Sequence, residues 1–317
     1  MQAIVYRRYG SPEVLALEEV EKPPLRDDEV RVAIRAASAN PLDWHFMRGE
    51  PRFMRLMSGF TRPRLRRLGV DAAGVIEAVG PKVARFEPGD EVFGAFRGAF
   101  AEYACTRASA VAKKPANVTF EEAACANIAG LTALQALRDN GRIRAGHKVL
   151  VNGAAGGVGT FAVQVALWFG AEVTGVCSAR NVELVRSLGA HHVIDYTRED
   201  FARRHERYDI VLDCVWNHSL AESRRVLARS GRYVIVGAPS DRMAKGMLAG
   251  FLTAGKVAMV MAKGSPADRA MMGELMLHGK VKPVIDRHYS LAQVPEAIRY
   301  LEEGHARGKV VIDVSAG

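Results

Sequence analysis

The sequence predicts an α/β fold: a doubly wound parallel sheet preceded by a smaller β-rich domain. Three observations carry this expectation. From His147 onward, short apolar runs alternate with helical stretches six times over, the pattern of a parallel sheet with helical crossovers. The first ~120 residues instead read as short β segments broken by turn residues. The length, 317 residues, suits about two domains, and 49% apolar with 25% charged residues is ordinary globular usage.

Taken in order, MQAIVYR, VRVAIRAAS, GVIEAVG, DEVFGAF and FAEYACT are the expected strands of the first half, an irregular, barrel-like arrangement. Pro23-Pro24, Glu87-Pro88-Gly89-Asp90 and Arg97-Gly98 punctuate them. The character changes at Thr119, which with Glu122 has the Ser/Thr-x-x-Glu spacing of a helix start. A helical stretch to about residue 140 bridges into the second half. There HKVLVNG, AEVTGVC, HVIDY, YDIVLDCV, RYVIVGA and VAMVMA are six strands, with helices expected over 158–169, near 182–188 and near 219–228. Two further β segments, VIDRHYS and GKVVIDV, flank a helix that includes residues 297–303 and return to the first domain. The expected domains are therefore 1–121 with 283–317, and 122–282.

The most informative segment runs from Val149 to Gly159. A buried strand enters Ala154-x-Gly156-x-x-Gly159 and passes straight into a helix, the dinucleotide fingerprint with alanine for its first glycine. Gly156 lets the backbone approach a pyrophosphate, Gly159 permits close helix–strand packing, and Gly157 and Val158 lie at the helix start whose N–H groups face the anion. About twenty residues on, an NAD site usually closes its second strand with an acid that holds the ribose 2′-hydroxyl. Here the strand ends Cys177-Ser178-Ala179-Arg180. A hydroxyl and a guanidinium suit a 2′-phosphate, so NADP(H) is the expected cofactor, with Tyr196 and Gly237 as further contacts.

At this point the sequence resembles a medium-chain dehydrogenase/reductase of the zinc-free quinone oxidoreductase type. Ser38-Ala-Asn-Pro-Leu-Asp43, Gly69-Val-Asp-Ala-Ala-Gly-Val-Ile-Glu-Ala-Val-Gly80, Gly130-Leu-Thr-Ala133, Asn152 to Gly159, Leu188-Gly-Ala190 and Gly308-Lys-Val-Val-Ile312 carry the resemblance, in order, over nearly the whole chain. It implies a Rossmann domain paired with a GroES-like catalytic domain, with the substrate between them. Zinc relatives carry a cysteine near the position of Asn40 and Gly-His-Glu where this chain has Gly69-Val70-Asp71; Asn and Val are not zinc ligands, so no metal is expected.

Without a metal, hydride transfer needs an electrophile that is already activated. Quinones and α,β-unsaturated carbonyls qualify, the protein supplying orientation and hydrogen-bond donors. The resemblance implies Asn40 as the donor to the substrate oxygen, with Asp43 in the same motif and Thr132 near the nicotinamide as the other catalytic candidates. Many relatives place a tyrosine shortly after the Asn-Pro motif; this chain has no tyrosine between Tyr9 and Tyr103, which leaves solvent or a cofactor hydroxyl as proton source. A metal-free alcohol or aldehyde oxidoreductase and an NADPH-binding regulatory protein without turnover are the alternative readings.

Charge is unevenly placed. The net +9 (44 basic against 35 acidic residues) is concentrated between residues 48 and 67, where seven arginines meet one acid, Glu50. No nucleic-acid module accompanies this charge, so nucleic acid is not expected as a partner. Gly49, Pro51, Gly59 and Pro63 interrupt regular structure there, and the expectation is a long mobile lid, with Phe53, Met54, Leu56, Met57 and Phe60 over a substrate. Together with Met47 in the same region and Met243, Met247, Met259 and Met261 in the 243–262 stretch, these point to a bulky apolar carbonyl or quinone. Four dispersed cysteines, no CxxC, no signal region and no apolar run of spanning length lead us to expect a cytoplasmic protein without a transmembrane segment; a homodimer is also expected.

Overall fold

In the computed structural model, residues 1–237 and 256–314 are described. Met243 and Met247, two of the residues taken as substrate-lining, lie outside them. The chain divides into two units. One comprises Met1–Ile128, Gly264–Gly279 and Pro283–Gly317; the other comprises Ala129–Lys263 and Lys280–Lys282.

The first unit is built on a seven-stranded sheet. Its path runs Ile285–Ser290, Lys309–Asp313, Glu29–Ala39, Asp71–Val79, Glu91–Ala95 and Val111–Lys113, and Tyr103–Arg107 pairs additionally with Glu29–Ala39. Strand Glu29–Ala39 forms because β-branched and small residues alternate with polar ones; Val30, Val32 and Ile34 point into the core beside Ile76, Val92, Phe100 and Ile312. Two pairings position the site. Val310 lies opposite Ala39, and Asp71 lies opposite Ser38, so the registers bring Lys309, Asn40 and Asp71 to one end of the sheet.

The domain boundary differs from expectation. The structure assigns 122–128 and the helix Pro266–Leu277 to the first unit, where the sequence reading had placed both in the second. The reason is a buried arginine: Arg269 on that helix donates to Asn127 Oδ1 at 2.9 Å and to the Ser109 carbonyl at 3.1 Å.

The second unit holds a six-stranded, wholly parallel sheet. Its order is His192–Asp195, Glu172–Cys177, Lys148–Asn152, Tyr208–Asp213, Leu227–Ile235 and Val257–Met259. The first strand in sequence sits inside the sheet, and the chain's direction of travel reverses between Lys148–Asn152 and Tyr208–Asp213. Open α/β sheets bind ligands at the carboxyl ends of the strands at such a reversal.

Residues 48–67 are not the unstructured lid that glycine and proline spacing suggested. Helix Pro41–Arg48 enters the segment, a 3-10 turn spans Arg52–Met54, and a helical turn spans Arg55–Ser58. Phe53, Leu56 and Phe60 are exposed. Met47 is a core residue, fully buried in the first unit, and Met261 is exposed.

Candidate functional site

In the second unit, strand Lys148–Asn152 delivers Gly153 to Gly159 to the start of helix Gly157–Trp168. The N-cap is Gly156, which has no side chain with which to satisfy the first helical N–H groups. Those donors point outward at the positive end of a twelve-residue helix, and Gly156, Gly157 and Val158 are half-buried and reachable. Gly159 has a different task. A Cβ there would meet the Gly153 carbonyl oxygen at 2.1 Å and the Ala154 Cα at 2.8 Å, so only glycine lets the helix lie this close to the strand. The loop thus fits a pyrophosphate, with Ala154 packed beneath it and fully buried.

Ser178 follows the second strand and is half-buried; Arg180, two residues on in the turn Ala179–Asn181, is exposed. Asp195 pairs with Cys177, and the Tyr196 amide donates to the Cys177 carbonyl at 3.0 Å, which brings Tyr196 alongside Ser178. No carboxylate closes the second strand. The acid closing the neighbouring strand, Asp195, is engaged by the amide and hydroxyl of Thr197 at 3.0 and 2.7 Å and by Arg198, which hold its carboxyl below the usual aspartate range. Gly237 follows strand Leu227–Ile235 with φ +118° and is exposed.

At the switch point a further acid does structural work that sequence reasoning missed. Asp213 Oδ1 accepts from Asn152 Nδ2 at 2.9 Å and from the amides of Val215 and Trp216 at 3.0 and 2.7 Å, and its other oxygen accepts from the Tyr233 hydroxyl. This ties the glycine-loop strand to the turn after Tyr208–Asp213. Trp216 itself holds a left-handed backbone, φ 52°.

The first unit contains a polar cluster with almost no solvent access. Asp71 is at its centre. Its carboxylate accepts from Asn127 Nδ2 at 2.9 Å, from the Ile128 amide at 3.1 and 3.2 Å, and from Asn40 Nδ2 at 3.1 Å. Asn40 donates its second amide hydrogen to the Ser38 carbonyl at 3.0 Å and accepts at Oδ1 from Lys309 Nζ. The asparagine therefore sits between a lysine and a carboxylate, its carbonyl toward one and its NH₂ toward the other. Burial raises the Asp71 carboxyl, opposed first by Lys309.

This geometry shows what already occupies two of the expected catalytic residues. Asn40 is 2% exposed and both of its amide hydrogens are committed, so none remains for a substrate oxygen in this arrangement. Asp43 is fully buried, and its Oδ2 accepts from the Asn40 amide at 2.7 Å. It holds the start of helix Pro41–Arg48. Thr132 is buried in helix Ile128–Gln135 of the second unit. Asp71 and Lys309 were missed because each opens its strand and shares it with a second charge, Glu77 and Asp313 respectively, so neither stands out as buried before the strand registers are known.

Burial, with the like charge of Asp71 adding to it, pushes Asp43 up to about 7 from an ordinary value of 3.8, against the Asn40 amide and Lys309. The native state then holds a proton that the unfolded chain releases near pH 4. Unfolding free energy is expected to fall as pH rises from about 4 to about 7. Asp43→Asn should remove that part of the slope and leave the part owed to Asp71. Urea melts at pH 5 and pH 7.5 test this, and an identical slope in both proteins would dismiss it.

Among the described residues no group of three or more His, Cys, Asp or Glu is placed to hold a metal ion. Residues 26–116 match the alcohol dehydrogenase GroES-like domain, and residues 188–312 match a family described as zinc-binding dehydrogenase. The mouse NAD(P)H oxidoreductase RTN4IP1, mitochondrial, is 35% identical, across 99% of this chain and 89% of its own length. The chain is a medium-chain dehydrogenase/reductase of the zinc-free quinone oxidoreductase type. The chloroplast envelope quinone oxidoreductase homolog of Arabidopsis thaliana is 32% identical over 99% of this chain and 98% of that protein. The quinone oxidoreductase of Coxiella burnetii superposes with a TM-score of 0.89 at 29% identity, covering 99% of both chains. This medium-chain dehydrogenase/reductase is an oxidoreductase with the GroES-like and Rossmann folds of its family. No helix among the described residues is long and apolar enough to cross a membrane.

Proposed function

We propose that the protein reduces quinones or α,β-unsaturated carbonyls with NADPH and without a metal. The observation that carries the cofactor is the end of strand Glu172–Cys177: Ser178 and Arg180 follow it where an acid would read NADH, and Tyr196 follows the neighbouring strand. The relatives' names, NAD(P)H oxidoreductase and quinone oxidoreductase, support the reaction class.

The nicotinamide, when bound, supplies a hydride to a conjugated acceptor. The chain's own residues do the rest. N–H groups at Gly157, Val158 and Gly159 would hold the pyrophosphate at the helix start, and Ser178 and Arg180 would hold the 2′-phosphate. Thr132 is retained as a hydroxyl donor toward the reacting groups. Asn40 and Asp43 act as positioning residues within the buried cluster.

NADPH should bind at least about tenfold more tightly than NADH, or about 1.4 kcal/mol. Arg180→Ala should erase most of that preference while leaving NADH affinity unchanged. Titration of cofactor fluorescence reads both constants, and equal affinities in the unmutated protein would defeat the assignment. Steady-state rates on a panel of quinones, alkenals and secondary alcohols then separate the proposed reaction from alcohol oxidation.

A further inference from the structure

The segment after helix Pro41–Arg48 is firmly held on its inner side. The Tyr9 hydroxyl donates to the Gly59 carbonyl at 2.6 Å and bonds Ser58 Oγ at 2.8 Å, and the Arg55 guanidinium lies 4.6 Å over the Tyr9 ring. Arg55 also donates to the Gly49 and Arg48 carbonyls, and the Arg64 amide donates to the Ser58 carbonyl. Ser58, Gly59 and Pro63 are buried.

What this anchored segment displays is unlike the rest of the surface. Phe53 is 53% exposed, Leu56 71%, Phe60 75% and Leu65 53%. Arg52, Arg62, Arg64 and Arg66 are interleaved with them and exposed, and none has a carboxylate within ion-pair distance among the described residues. Arg48, at the segment's start, is by contrast paired with Glu302. Bulky apolar side chains fixed in water and interspersed with unpaired guanidinium groups form an amphipathic, cationic surface. That chemistry matches an anionic bilayer, whose phosphates meet arginine while its acyl boundary receives Phe and Leu. Single-stranded nucleic acid would satisfy the arginines and the phenylalanine rings, but Leu56 and Leu65 offer no aromatic face on which a base could stack.

We propose that residues 52–66 dock the protein on an anionic membrane surface as a peripheral contact. The arginines meet lipid phosphates, and Phe53, Leu56, Phe60 and Leu65 enter the headgroup boundary. The test is flotation of the full-length protein with phosphatidylcholine vesicles, with and without phosphatidylglycerol, at low and high salt. Binding is expected only with phosphatidylglycerol and is lost at high salt. The pairs Arg62→Glu with Arg64→Glu, and Leu56→Ser with Phe60→Ser, should each weaken it by about tenfold or more, with circular dichroism and NADPH affinity unchanged. Failure to bind anionic vesicles at low salt, or binding indifferent to both pairs, would overturn the proposal. Retention on single-stranded RNA without retention on vesicles would overturn it equally.

Discussion

Replacing Lys309 by methionine is expected to lower the unfolding free energy by about 3 kcal/mol, the lower end of what breaking a buried charge pair costs. Lys309 reaches Asp71 through the Asn40 amide, so its loss removes the carboxylate's counter-charge and frees the Asn40 carbonyl at once. Asp71 must then ionise without compensation or stay protonated, so the loss should shrink toward acid pH. Asp71→Asn alone should also destabilise, by leaving the lysine buried without its carboxylate. The double variant should recover a good part of the deficit, because the two effects share one cause. Urea denaturation of all four proteins reads the cycle; strict additivity would show that the two side chains do not communicate.

Gly159→Ala should weaken NADPH binding at least about hundredfold, near 2.7 kcal/mol. The added methyl would meet the Gly153 carbonyl oxygen at 2.1 Å, a backbone atom that cannot rotate away. The helix must shift off the strand, and its N–H donors move with it. Gly156→Ala makes a useful contrast, since its Cβ would find only the Gly153 oxygen at 3.3 Å. Its effect should come from crowding the anion rather than from displacing the helix. Near-equal NADPH affinity in Gly159→Ala and the unmutated protein would refute this reading of the close approach.

The second unit was largely legible because parallel strands are buried on both faces and read as continuous apolar runs. HKVLVNG and YDIVLDCV are two such runs, and they pair in parallel at the switch point. Less legible were elements without a burial signature. Among the described residues strand Ala16–Glu19 pairs only with Gln2–Val5 and is mostly exposed, and Val111–Lys113 is three residues long at a sheet edge. Helix Pro266–Leu277 went to the wrong unit because its tie, the buried Arg269, is a tertiary fact: an arginine in sequence reads as surface. The same blindness hid Asp71 and Lys309, whose roles exist only once the strand registers are known. The Asn40 motif was visible, but the commitment of its amide hydrogens was not. Residues 48–67 were misjudged because glycine and proline punctuate short helical turns as readily as they punctuate loops.

The closing of the first sheet has a consequence for how the protein is made. Strand Lys309–Asp313 pairs antiparallel with Glu29–Ala39, and Lys309 contacts the Ala39 carbonyl across a separation of 270 residues. During synthesis, Glu29–Ala39 and Asp71–Val79 leave the ribosome long before that partner exists. Until then the edge of Glu29–Ala39 that faces Lys309–Asp313 stays unpaired, and Asp71 waits without its lysine. The second unit, by contrast, has its whole sequence in hand by Lys282. Closure over so long a span is entropically costly and slow. The nascent first unit is therefore the stage at which a chaperone, or an adventitious β-strand, would find an open edge to bind.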